Sequence, residues 1–332
     1  MKHDSSPRTR SRHLWFLNWS VAAGALVGLL SGCQALSPAE PVAFTTEQWS
    51  FRGSTGTMLV SQHYILRTTC SSKPLVNSMP AFLETCWKAY AELVPCETSP
   101  EKPLETYLFQ TRWQWERFTE EFSPERAETY KRIRSGGYSE RGITVSYYGS
   151  RRTTLSTLAH EGLHQYLEAT RGNRIPAWIN EGLAARFEAF DLDAHNCPIF
   201  TPDKNYLRLN HLREAMRTKS LAPLKDILAT HAGIEIQKQT SRVANYYAQV
   251  WSMILFLLQP ASMNPYHDGF RRLLNDLGTD TMVRNTKAYL AADTDGNMSE
   301  GEAVFRSYVT DDLEKFQADY EAFLRKLLQM EE

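Results

Sequence analysis

The residues best equipped for chemistry stand together at His160-Glu161-Gly162-Leu163-His164. On an α-helix, positions four apart lie one above the other on one face, so two imidazoles at this spacing can reach a single metal ion. Glu161, beside them, is free to take a proton from water activated by that ion. Downstream stands Glu181, within Pro176-Ala177-Trp178-Ile179-Asn180-Glu181-Gly182-Leu183-Ala184. Two imidazole nitrogens and one carboxylate oxygen, with a fourth position left for water, are the donor set of a catalytic zinc site; a structural zinc site closes all four positions with protein ligands.

For these groups to meet, the two histidines must share one helix and Glu181 must sit on a second that folds back beside it. The apolar spacing predicts the first helix over 154–170 and the second over 176–190. Gly172 and Asn173 suit the end of the first, and Pro176 suits the first turn of the next, so a short turn joins them. Ahead of the first helix, Gly142-Ile143-Thr144-Val145-Ser146-Tyr147-Tyr148 is rich in β-formers and reads as a strand ending at Gly149. Further strand-like stretches cover 58–67 and 104–109, and helical ones cover 78–93, 113–122 and 124–133. After Thr153 nearly everything is helix-patterned, with further helices over 206–217, 245–258, 266–277 and 311–328. The fold class is therefore α+β, with a small N-terminal mixed sheet and a mostly helical C-terminal half.

HEGLH followed by PAWINEGLAARFE resembles the gluzincin zinc metallopeptidases of the thermolysin-like clan MA, and especially their bacterial peptidase-MA-like branch. There a W-x-x-E-G-x-A helix carries the third metal ligand. The resemblance covers about residues 135–260 and implies a zincin-like catalytic fold in which His160, His164 and Glu181 hold Zn²⁺ and Glu161 is the general base. It further implies hydrolysis of a peptide or protein substrate, laid by main-chain hydrogen bonds along 143–147 as the edge strand of the sheet. Related peptidases present a tyrosine from a later helix to the developing oxyanion; Tyr247 is the candidate and its neighbour Tyr246 the alternative. His211 and His231 could serve the same duty, or be ordinary surface or core histidines. Relatives often carry an acidic residue four positions after the glutamate ligand to orient the first histidine, and here that position is Ala185. Glu168 and Glu188 are the candidates to replace it. The altered position motivates a second reading, a catalytically inactive zincin-fold lipoprotein that binds or scaffolds at the cell envelope.

The N-terminus carries an address. Arg8, Arg10 and Arg12 precede an apolar run over 14–30 that stops at Leu30-Ser31-Gly32-Cys33. Small residues leading to a cysteine resemble the lipobox of bacterial lipoprotein signal peptides, which implies cleavage before Cys33, lipidation of that residue and attachment to the membrane. Gln34 is compatible with the outer membrane by the same resemblance, facing the periplasm or the cell surface. An uncleaved anchor helix is the alternative. The domain plan is then a signal peptide over 1–32, a tether over 33–50, an α+β part over 51–190 bearing both motifs, and a helical part over 191–332 completing the cleft.

In 332 residues, 37 Lys plus Arg against 38 Asp plus Glu leave a formal charge of -1, with no global field to attract nucleic acid. Aromatic residues at 11% supply ample material for a core. Besides Cys33, the chain holds Cys70, Cys86, Cys96 and Cys197, an even number in an oxidising compartment, from which one or two disulfides are expected with the pairing open. Asp293-Thr294-Asp295-Gly296 begins like a calcium loop but has its glycine too early, and reads as a turn.

Overall fold

A computed structural model describes residues 42–96, 100–133, 136–230 and 240–330. The proposed signal segment, Cys33, the first part of the tether and His231 lie outside them. The described chain opens on a six-stranded sheet in the order β1-β2-β3-β4-β6-β5. Its strands are β1 (Thr45–Phe51), β2 (Ser54–Val60), β3 (Tyr64–Thr68), β4 (Leu104–Phe109), β5 (Gly137–Glu140) and β6 (Ile143–Tyr147). The first three form an antiparallel meander, β3-β4 and β4-β6 are parallel, and β5 returns antiparallel to β6 as an edge.

The parallel steps need helical crossovers, and these cover both faces of the sheet. Helix α1 (Lys73–Leu93) joins β3 to β4, with Pro74 in its first turn. Its buried face carries Leu75, Met79, Phe82, Leu83, Cys86 and Tyr90 at helical spacing. Helix α2 (Arg112–Phe122), begun by a Thr111/Gln114 capping box, lies on the other face with the four-residue α3 (Ala127–Tyr130). There Trp115, Phe109, Tyr138 and Val145 form a separate aromatic cluster.

After β6 come α4 (Arg151–Arg171) and α5 (Ala177–Arg186), then a small hairpin of β7 (Phe190–Leu192) and β8 (Pro198–Phe200). The helices α6 (Tyr206–Arg217), α7 (Leu224–Ala229), α8 (Thr240–Leu257), α9 (His267–Asp276), α10 (Asp280–Ala292), α11 (Glu300–Tyr308) and α12 (Leu313–Leu328) follow. This is the α+β arrangement that the periodicities imply. One core runs from Leu59 and Leu66 of the sheet through Leu163 and Trp178 to Trp251, Phe305 and Leu324. All described residues fall in one compact unit, so no structural break separates the parts expected on either side of residue 190. No helix among the described residues is long and apolar enough to cross a membrane.

Several expectations need correction. The stretch read as tether ends early, because Thr45–Phe51 pairs along its whole length with β2; its largely exposed side chains concealed a strand held by backbone bonds. The strand 143–147 is interior, flanked by β4 and β5, and the edge is the short Gly137–Glu140. The helix expected to run to residue 190 stops at Arg186 and gives way to β7. Cys70, Cys86, Cys96 and Cys197 are all free thiols, so the expected disulfides are absent. Cys86 shows why: it packs inside the core as a small apolar side chain, and burial pushes its thiol pKa well up. The 293–296 segment is a turn, closed by Met298 N–H donating to Asp293 Oδ2 at 2.7 Å.

Candidate metal centre

Helix α4 starts where Ser150 accepts a hydrogen bond from Thr153 N–H and stops at Gly172, whose φ of 75° is a left-handed conformation that glycine adopts without strain. Between these ends it is fixed to its surroundings by polar anchors that bracket the two histidines. Tyr90 Oη donates to Ala159 O at 2.6 Å, and Tyr166 Oη donates to Val94 O at 2.6 Å. The buried Gln165 donates to Glu105 O and Gly142 O, each at 2.7 Å, which fixes the helix against β4 and the start of β6. Gly162 leaves room for the Tyr90 ring, since a Cβ there would lie 2.9 Å from Tyr90 Oη. Helix α4 therefore holds a set rotation, and both imidazoles face α5.

Helix α5 presents Glu181 to them. Its Oε2 atom is 3.4 Å from His160 Nε2 and 3.5 Å from His164 Nε2, and ligand atoms of the three residues lie within 4.8 Å of one another. A tetrahedral ion with bonds of about 2.1 Å separates its ligand atoms by roughly 3.4 Å. Glu181 Oε2 is buried and, apart from these two imidazole nitrogens, has no hydrogen-bond partner. A buried carboxylate oxygen of this kind is costly unless something satisfies it. Two imidazoles and a carboxylate are zinc's usual donors, so the residues present fit the ion.

The outward-facing nitrogens of both rings are also held. His164 Nδ1 lies 2.8 Å from Asn180 Oδ1, and His160 Nδ1 lies 2.9 Å from Glu188 Oε1. With each Nδ1 held in this way, loss of the Nε2 proton, which metal binding requires, would turn that nitrogen's lone pair to the shared centre. Glu188 is anchored in turn: Arg208 Nη2 donates to its Oε1 at 2.6 Å, Arg208 Nε to its Oε2 at 2.9 Å, and Asn205 Nδ2 to its Oε2 at 2.7 Å. The Arg208 guanidinium also lies over the Tyr247 ring, 4.8 Å from its centroid.

Electrostatics follow this layout. Burial alone would lower the His160 pKa, but Glu181 and Glu188 outweigh it and push it up to about 10. His164 is raised because the Glu181 charge overcomes the same burial. Burial opposes ionisation of Glu181 and Glu188, yet the imidazoles hold the first, and Arg208 with His160 the second, well below the usual carboxylate range. Glu161 moves the other way: burial raises it, only partly offset by the histidines, which favours proton uptake. Tyr247 is raised well above its ordinary value, by burial first and by the Glu181 charge second, so its hydroxyl remains a donor.

His160, Glu161, His164 and Glu181 are thus brought together, and Tyr247, named from the resemblance, stands near them. Of the two adjacent tyrosines, Tyr247 stands beside the metal-site residues, its ring 6.2 Å from that of His160. Glu188 takes the orienting position, and Glu168 instead lines a cavity next to His164. His211 is one turn beyond Arg208, its pKa lowered by burial and by that charge, and lies outside the three-ligand cluster. Asn180, Asn205 and Arg208 escaped the sequence reading. Only Asn180 carried a usable signal, being next to Glu181; the other two reach the site from α6 and its cap.

Residues 154–273 match the family described as "Protein of unknown function (DUF1570)". That span contains His160, His164 and Glu181, and also Glu188, Arg208 and Tyr247. No curated protein matches the chain.

Proposed function

We propose that the chain is a zinc-dependent peptidase of the gluzincin type, tethered to the cell envelope through a lipid on Cys33, with peptide or protein substrates. The observation that carries this reading is the buried Glu181 Oε2, which faces both imidazole Nε2 atoms at 3.4 and 3.5 Å and has no closer partner. His160, His164 and Glu181 would hold the ion, which supplies Lewis-acid polarisation of a carbonyl and acidifies water. The Glu161 carboxylate removes a proton as the water oxygen bonds to the carbonyl carbon, then delivers it to the leaving nitrogen as the C–N bond breaks. Tyr247 donates a hydrogen bond to the carbonyl oxygen as charge grows there. The free edge of β5 offers main-chain groups to an extended substrate, the role that the sequence assigned to the neighbouring strand.

The test pairs metal analysis of the tag-free protein with cleavage of a mixed peptide library by wild type and Glu161→Gln. About one zinc per chain, cleavage by wild type and its loss in the zinc-loaded variant are expected. Stoichiometric zinc without turnover on any substrate would replace this reading with the envelope scaffold, and absence of zinc would remove the peptidase.

A further inference from the structure

A cavity of about 200 Å³ opens directly beside His164 and Glu181. Sites that take whole small ligands are usually about 300–1,000 Å³, so this one suits a single group of a longer molecule. Its walls include Ser139 of β5, Leu167 and Glu168 of α4, and Asn173 and Ile175 of the turn before α5. Glu168 is half-buried and, among the described residues, its carboxylate has no ion-pair partner. The nearest arginines along the chain are engaged elsewhere. Arg171 donates to Asn275 O and Pro95 O, and Arg174 pairs with Asp280 at 3.6 Å. Beyond His164 and Glu181, which face each other at the metal site, the cavity presents one carboxylate without an ion-pair partner and several neutral acceptors, and neither lysine nor arginine lines it.

Its position relative to the sheet edge matters. Ser139 lies opposite Thr144 in the β5-β6 ladder, and Thr144 Oγ1 meets Gln165 and Glu161 of α4, so this is the face turned toward the helix. Tyr138 belongs to the opposite face. A strand added outside β5 would alternate likewise, sending every second side chain to the α4 side, where the cavity lies.

We infer that this cavity is the subsite that selects a cationic group of the substrate, with Glu168 as its counter-charge and Asn173 as a supporting acceptor. The inference rests on the peptidase reading for its substrate class. The cation is an ammonium or guanidinium, carried either by a basic side chain or by a free N-terminus.

Binding to the zinc-loaded full chain carrying Glu161→Gln reads this without turnover. The probes are fluorescent peptides differing by Lys, Leu or Glu at one position, each with a free or an acetylated N-terminus. Lys peptides are expected to bind about fivefold more tightly than Leu peptides, the size of one partly exposed ion pair, and Glu peptides more weakly still. Adding Glu168→Gln should erase the preference, Glu168→Lys should reverse it, and Asn173→Asp should enlarge it. Acetylation that removes the preference assigns the cation to the N-terminus; insensitivity assigns it to the side chain. A preference that is absent, or unchanged by Glu168→Gln, overturns the subsite. Cleavage by wild type without charge selectivity overturns the subsite and leaves the peptidase standing. Charge-selective binding without any cleavage does the reverse, and failure of every peptide to bind overturns both.

Discussion

Glu188 shows how much of the proposed metal centre lies beyond its ligands. It holds His160 Nδ1 and is itself held by Arg208 and Asn205, so the first histidine's orientation depends on an ion pair contributed by α6. Glu188→Gln removes the charge with little change of shape, and zinc affinity is expected to fall about 10- to 100-fold, measured by competition with a chelator. Glu188→Ala goes further, leaving Arg208 buried without its partner, and should lower unfolding free energy by about 3–5 kcal/mol in denaturant titrations. Equal zinc affinity in wild type and Glu188→Gln would show that the contact positions nothing. Tyr247 makes a different demand, because it is not one of the three donors. Tyr247→Phe should keep its zinc and lose about 10²-fold in kcat with little change in KM, as expected for a donor whose bond strengthens only as the carbonyl oxygen becomes charged. A loss confined to KM would move the tyrosine from transition-state stabilisation to substrate binding.

Helix α5 delivers Glu181 only because it lies almost in contact with α8. At Gly182 an added Cβ would sit 2.5 Å from Ile254 Cγ1 and 2.7 Å from Val250 O, a space that no side chain can enter without moving one helix. Gly182→Ala should therefore cost about 1–3 kcal/mol of stability and, by shifting the adjacent Glu181, weaken zinc binding as well. A thermal melt together with chelator competition checks both, and lowered stability with intact zinc affinity would mean that α5 yields elsewhere. Legibility in the sequence divides along the same lines as local and non-local geometry. His160, Glu161 and His164 are readable because a helix turns sequence spacing into a shared face, and Glu181 follows from the Gly172, Asn173 and Pro176 signals of a helix hairpin. Glu188 is one of two candidates to replace the acidic residue missing at Ala185, and spacing cannot choose it over Glu168 because it arrives from the turn into β7, beyond the end of α5 at Arg186. Arg208 and Asn205 lie on an element whose approach to α4 is set by tertiary packing, which periodicity does not encode. Strand order is equally non-local: Ile143–Tyr147 has the stronger β composition, yet the weaker Gly137–Glu140 is the strand that ends the sheet.

The whole molecule behaves as one body around this site, although residue 190 looked like a boundary between a sheet-bearing part and a helical part. His160, His164 and Glu181 come from one side of it, whereas Arg208 and Tyr247 come from the other. The shared core is equally divided, with Leu163, Trp178 and Leu183 packed among Leu212, Trp251, Ile254 and Phe305. The Trp178 indole even donates to Gly301 O at 3.2 Å, tying α5 to the start of α11. Neither half can bury its apolar surface without the other, and small changes at one should be felt across both. Unfolding is therefore expected as one transition, with far-UV circular dichroism and tryptophan fluorescence tracing the same curve. On the proposed reading zinc binds the assembled state and not the unfolded chain, so free zinc at 100 times its dissociation constant should add about 2.7 kcal/mol, and a chelator should remove that increment without splitting the transition. A chain cut after residue 190 retains all three ligands but loses Arg208, Tyr247 and the helices against which α5 packs. It should neither fold nor hold zinc at micromolar concentration. Two resolved transitions, or a truncated protein that binds zinc as the full chain does, would restore the boundary and make the C-terminal helices an accessory to an independent metal domain.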